Sequence, residues 1–324
     1  MVVRMASVSV IIPTKNNADT IRIAIESCLS DCAVGEVIVV VQPSQDATRD
    51  VALGITDPRL SVVEDEGHGI SRAMNIGMTA SSCAYLAKVD GDDIVPKGRF
   101  DSQCRFLNTH PEIMAVCGAF AAIDNVGQHL SSFATDRAEG DVTEQYLAQE
   151  RPTHLGSWLC RREAWEEVGG FREWFVIGED VDMAFRLAIL GRVWFIPDVS
   201  YLYRISEGSI TRTHAKTLRD FYDAQSSLFA RQRIVSGTDD LEQHQPPPVP
   251  VLDTEAHEIG GAELHEQQTV GFLEARAWRE FHDGRRRTAF HTIIRSSSYA
   301  KGWRKLRQVR SLLVMIAKTA IARK

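Results

Sequence analysis

The stretch "CAYLAKVDGDDIVP", residues 83–96, begins as an apolar run and ends with three carboxylates, Asp90, Asp92 and Asp93, in four positions. Cys83 to Val89 reads as a buried strand, and the acids follow directly on its carboxyl end. Like charges at this spacing raise one another's pKa and repel, so a fold keeps them where a cation neutralises them or where water solvates them freely. Ligands of open α/β sheets bind beyond the carboxyl ends of the strands, so the acids stand where a site is expected.

Working outward, short Val- and Ile-rich runs alternate with segments of helical period, the pattern of a parallel sheet covered by helices. Strands are expected at Val8–Ile12, Val37–Val41, Leu60–Val63 and Ala84–Val89. Helices are expected at Asp19–Leu29, Asp46–Leu53 and Ser71–Thr79, with Asp46 and Ser71 as caps. Pro96 opens a further helix to about Asn108, followed by strands or a hairpin at Met114–Ala122 with a turn at Asp124–Gly127. A helix at Glu179–Leu190 ends at Gly191, a strand follows at Val193–Ile196, and residues 214–235 form an amphipathic helix. The fold class is α/β, a Rossmann-like, mostly parallel sheet flanked by helices.

The 324 residues, 44% of them hydrophobic, suffice for one large core and an appendage. The triple proline in "TDDLEQHQPPPVP", residues 238–250, marks a break. It separates a main domain, 1–237, from a linker, 238–261, and a basic helical region, 262–324. Charge divides at the same side of the chain. Residues 276–324 hold 14 Lys and Arg against two acids, or +12, which leaves near −18 on the first 275 from a total of −6. Six cysteines without a CxxC pair read as free thiols in a reducing compartment. No signal-peptide h-region and no run of about 20 apolar residues is evident, so a cytoplasmic protein is expected. Apolar Trp303, Leu306, Leu313, Ile316 and Ala320 interleave with basic residues in 301–324. This segment is expected either to lie on an anionic membrane at its inner face or to form a lid or dimer contact. No nucleic-acid motif is present.

The other strand ends offer "PTKN" (13–16), "QPSQD" (42–46) and "EGHGISRAMNIG" (66–77), in which glycines free the backbone at a helix entrance and Arg72 can grip a phosphate. Asp90 and Asp92 are hard oxygen donors of the kind Mg²⁺ or Mn²⁺ takes together with substrate phosphates. In "GEDVDMAFRLAILG", Glu179, Asp180 and Asp182 occupy a first helical turn, where the helix dipole favours acids. Aromatics ahead of it, Trp158 among them, can stack on a sugar.

The order of these motifs resembles the inverting glycosyltransferases of family two, with the GT-A fold, over residues 7 to about 213. The resemblance rests on "VSVIIPTKNNADTIRIAIESCL", "EGHGISRAMNIGMTAS", "YLAKVDGDDIVPKGR", "GEDVDMAFRL" and "LYRISEGSIT". It implies transfer of a sugar from a nucleotide-diphosphate donor to a glycan or lipid-linked acceptor in cell-surface polysaccharide or glycolipid synthesis. By the resemblance, Pro13, Thr14, Asn16, Arg72 and Asp90 bind the donor, and Asp90 and Asp92 hold the metal; Gln42, where the family has an acid, is an uncharged candidate for the donor site. Asp180 is the general base with Glu179 assisting, and His154 meets the acceptor; Trp158 is the aromatic candidate for the same acceptor site.

Two departures stand out. The family has acids directly after its second strand where this chain has Val41 and Gln42, which leaves the donor base open. The family's closing motif carries a His after Tyr-Arg, whereas Arg204 is followed by Ile205 and Ser206, so His214 is the substitute candidate for a metal ligand. Two other readings of the same motifs are a catalytically degenerate domain that binds nucleotide sugars, and a sugar-phosphate nucleotidyltransferase. The latter needs a Gly-rich first loop that "IIPTKNNADT" lacks.

Overall fold

β-branched residues fill the first strands, and both faces of those strands are covered. The structure is a computed structural model and describes residues 8–205, 216–250 and 261–321. His214 lies outside the described residues. β1 (Val8–Thr14), β2 (Val34–Val41), β3 (Leu60–Glu64) and β4 (Tyr85–Lys88) alternate with α1 (Ile21–Leu29), α2 (Thr48–Leu53), α3 (Ile70–Ala80) and α4 (Arg99–Thr109). There follow β5 (Ile113–Ile123), β6 (His129–Phe133), β7 (Gly140–Asp141), α5 (Thr143–Leu147), β8 (Leu159–Arg161), α6 (Arg162–Glu167), α7 (Glu179–Leu190), β9 (Arg192–Arg204) and α8 (Lys216–Ser236).

The sheet runs β3-β2-β1-β4-β8-β5-β9-β7. β1 pairs in parallel with β2 and β4, and β2 with β3, while β8 runs antiparallel to both β4 and β5. Period-2 alternation sends Val8, Val10 and Ile12 to one face with Ile25, Cys28, Phe100 and Leu107. Ile11, Ile38 and Val40 face the other way, onto Met74, Met183 and Leu187. Burial on both faces is why these strands read as unbroken apolar runs.

Local expectations about helix ends needed correction. α3 begins at Ile70, and the Ser71 hydroxyl donates to the carbonyl of Phe175 at 3.1 Å, so it does not cap the helix. Asp46 acts one residue ahead of the cap position of α2, accepting from the backbone N–H of Thr48 at 3.0 Å and of Ala18 at 3.0 Å. The helix Glu179–Leu190 does end at Gly191, which is extended there; a Cβ would lie 2.7 Å from Cε of Met114.

The described residues fall into two compact units. The first holds 8–120, 133–203 and 216–250, and it includes Asp239, whose buried carboxylate takes Arg172 Nη1 and Arg233 Nε, each at 2.6 Å. The start of the proline-rich stretch is thus anchored to this unit. The second unit holds α9 (Gly261–His282), α10 (Arg286–Tyr299) and α11 (Gly302–Ile321), with residues 121–132, Arg204 and Ile205. The 121–132 hairpin turns at Asp124, whose side chain accepts from Tyr299 Oη at 2.7 Å and pairs with Arg295 at 2.5 Å. Arg276 and Arg295 each reach the carbonyl of His129 at 3.0 Å. The basic residues of these helices therefore bind a hairpin drawn from mid-chain, which sequence order does not disclose.

Candidate active site

The carboxyl end of β4 gathers the charges. Lys88, whose side chain is 3% exposed, is the last residue of the strand, and its Nζ lies 2.6 Å from Asp90 Oδ1 and 4.0 Å from Glu179 Oε1. Burial alone would lower its pKa, but Asp90, Glu179 and Asp180 outweigh burial and raise it. A resident ammonium thus meets the repulsion expected among these acids. The sequence reading missed it because Lys88 falls inside an apolar run. Burial tends to raise the Asp90 carboxyl, but Lys88 and then His154 hold it below the ordinary value.

Glu179 and Asp180 open α7, where Gly178 enters in the left-handed region at φ 76 and the helix dipole faces the acids. Glu179 is buried, and burial with Asp180 beside it pushes its carboxyl up to about 8 against the pull of Lys88. Its carboxylate faces Lys88, with Oε1 4.0 Å from Nζ. Asp180 is partly exposed, and its Oδ2 lies 3.6 Å from Nε2 of His154. His154 Nδ1 accepts the N–H of Gly156 at 3.0 Å, so in the neutral ring the hydrogen sits on Nε2, toward Asp180. The imidazole stacks on Tyr201 at 5.4 Å between centroids. Burial keeps the pKa of His154 below the ordinary histidine value despite Asp180. The Tyr201 hydroxyl accepts the backbone N–H of Asp90 at 3.1 Å, which fixes the turn beneath the acids.

Thr14, Asn16 and Gln42 meet at the ends of β1 and β2. The backbone N–H of Gln42 donates to the carbonyl of Thr14 at 2.9 Å, and Asn16 Oδ1 accepts from the N–H of Gln45 at 2.7 Å. Pro13 is covered within β1, paired with Val40. The Thr14 loop touches the acidic turn: a Cβ on Gly91 would lie 2.5 Å from Thr14 Oγ1, so only glycine permits that approach. Arg72 stands on α3, its Nε 3.6 Å from Oδ1 of Asp65. Asp65 follows β3 directly, and both its carboxylate oxygens are buried without a hydrogen-bond partner. This acid was not singled out from the sequence; its place right after a strand, inside "VVEDEG", was the available signal.

Trp158, expected at the acceptor, is 1% exposed and packs edge-on against Tyr146, its indole N–H donating to Thr153 Oγ1 at 3.1 Å. It is a core residue. Asp182 is likewise structural: fully buried, it is clasped by Arg172 and by Arg186, the latter through Nε at 2.9 Å. Asp92 and Asp90, both partly exposed, are the hard oxygen donors that suit Mg²⁺ or Mn²⁺ beside phosphate oxygens. Among the described residues no group of three or more His, Cys, Asp or Glu converges on a metal position.

Residues 9–169 match the family described as Glycosyl transferase family 2. The chain is 30% identical over 261 residues to the succinoglycan biosynthesis protein ExoO of Rhizobium meliloti (strain 1021), covering 75% of this chain and 73% of that protein. The chain belongs to glycosyl transferase family 2. It is also 26% identical over 223 residues to the putative glycosyltransferase EpsH of Bacillus subtilis (strain 168), covering 65% of this chain and 64% of that one. The crystal structure of S. aureus TarS 1-349 in complex with UDP-GlcNAc matches with a TM-score of 0.61 at 16% identity, over 98% of this chain and 92% of that one, a likeness of fold. The glycosyltransferase fold expected from the order of motifs is the fold observed, and relatives in this family work in polysaccharide synthesis.

Proposed function

We propose that the chain is an inverting, metal-dependent glycosyltransferase that moves a sugar from a nucleotide-diphosphate donor to an acceptor hydroxyl in the synthesis of a surface polysaccharide or glycolipid. The observation that carries this reading is the convergence of Asp90, Lys88, Asp180 and His154 on one strand end. Asp180 takes the proton of the acceptor hydroxyl as it attacks the face of the anomeric carbon opposite the diphosphate, a step that needs a carboxylate and no enzyme nucleophile. His154, through Nε2–H, orients that carboxylate. Thr14, Asn16 and Gln42 line the donor's nucleoside end, and Asp65 holds Arg72 toward its phosphates. Asp92 with Asp90 would hold Mn²⁺ or Mg²⁺, which neutralises charge on the departing diphosphate when bound. Lys88 keeps Asp90 ionised and in register whether or not a donor is present.

The test is sugar transfer and donor hydrolysis from a panel of sugar nucleotides with Mn²⁺, measured beside nucleotide binding. Asp180→Asn should lower turnover about 10²- to 10⁴-fold while nucleotide binding holds. Asp92→Asn should instead weaken metal-dependent nucleotide binding. Wild-type turnover in Asp180→Asn, or binding without turnover in the unaltered chain, overturns the proposal; the second outcome would mark a nucleotide-sugar sensor.

A further inference from the structure

A helix packed on protein hides its apolar side and shows its polar one. Over most of its length α11 does the reverse. Trp303, Leu306 and Leu313 are 64%, 72% and 60% exposed, and Val309 and Ile316 are exposed as well, whereas Gln308 and Ser311 are buried. Of its apolar residues, Met315 is fully buried, in a small cluster with Ala277, Phe281, Ala289 and Ile293. The inward face is tied to α9 by polar contacts. Gln308 Nε2 and Ser311 Oγ donate to the Glu274 carboxylate at 3.2 and 3.0 Å, Arg307 Nε lies 3.3 Å from it, and Arg304 pairs with Glu266 at 3.4 Å. Those bonds fix the roll of the helix, so the apolar stripe is held outward rather than left over.

At about 100° per residue, Leu306, Val309, Leu313 and Ile316 share one arc, with Lys305 at one edge and Arg310 at the other. Residues 301–324 contain eight Lys and Arg and no Asp or Glu. A second copy docking stripe to stripe would set these cations against each other. An apolar strip edged on both sides by cations, with a tryptophan at one end, matches instead the boundary between headgroups and acyl chains of an anionic bilayer. No described helix is long and apolar enough to cross a membrane.

We propose that α11 lies in the plane of an anionic phospholipid surface, with Leu306, Val309, Leu313 and Ile316 in the acyl boundary and Lys305 and Arg310 on the headgroups. The inference goes beyond the catalytic reading and does not depend on it. The experiment is flotation of the full chain with vesicles of phosphatidylcholine alone or mixed with phosphatidylglycerol. Binding to the mixed vesicles should be on the order of tenfold tighter and should weaken as salt is raised. Leu306→Gln with Leu313→Gln should cut it on the order of tenfold with the melting temperature unchanged. Lys305→Glu with Arg310→Glu should remove the preference for phosphatidylglycerol. Equal binding to both vesicles, undiminished binding by the Gln pair, or no vesicle binding together with a dimer that the Gln pair dissociates, each overturns the proposal.

Discussion

α7 and α11 break the rule of apolar inside and polar outside in opposite directions. α7 buries Glu179, Asp182 and Arg186, and each has a partner within its own unit: Lys88 for Glu179, and Arg172, Arg186 and two backbone carbonyls for the network around Asp182. α11 exposes a row of large apolar side chains for which the second unit supplies no cover. A buried charge whose partners are all in the fold serves the fold or its site. An exposed apolar row whose helix is pinned by polar bonds points to something outside it.

The contrast is open to attack by mutation, and the largest effect is expected at Asp182. Asp182→Ala leaves Arg172 and Arg186 buried without their shared anion and should cost roughly 3–5 kcal/mol, read from the urea midpoint. Lys88→Met strands Asp90 and should cost somewhat less, about 2–3 kcal/mol, because Asp90 keeps some access to water; Lys88→Arg should restore part of it. Glu179→Gln tests the pH side. With a folded pKa of about 8 against an ordinary 4.5, the contribution of Glu179 is complete below pH 4.5 and is lost as pH rises toward 8. The melting temperature of Glu179→Gln should therefore gain on the unaltered protein across that window; a difference independent of pH would contradict the assignment. Smallest of all, Leu313→Ser on α11 should move stability by no more than about 0.5 kcal/mol. A larger loss would mean that the stripe is covered by protein after all.

These helices also mark what could be read from the sequence. β1 to β4 with α1 to α4 were legible because buried parallel strands spell unbroken apolar runs and the helices between them keep their period. Asp90 and Asp180 stood out as acids at a strand end and a helix start, His154 only through the family resemblance, and the fold brings the three together. Lys88 was not, since a charge inside an apolar run is absorbed by the pattern around it. Trp158 misled because an aromatic ahead of an acidic motif serves equally as core or as cleft wall, and only burial separates the two. Periodicity revealed the stripe on α11 but not its direction, which Glu274 and Glu266 decide from another helix. The 121–132 hairpin joined the basic helices through contacts more than a hundred residues apart, beyond the reach of any local window.

With Nδ1 of His154 already taken by the Gly156 amide, the ring has a single outward handle, and that handle is a donor. In the proposed reaction a neutral His154 steadies the Asp180 carboxylate but cannot take its proton, so a proton drawn from the acceptor hydroxyl stays on Asp180 until solvent removes it.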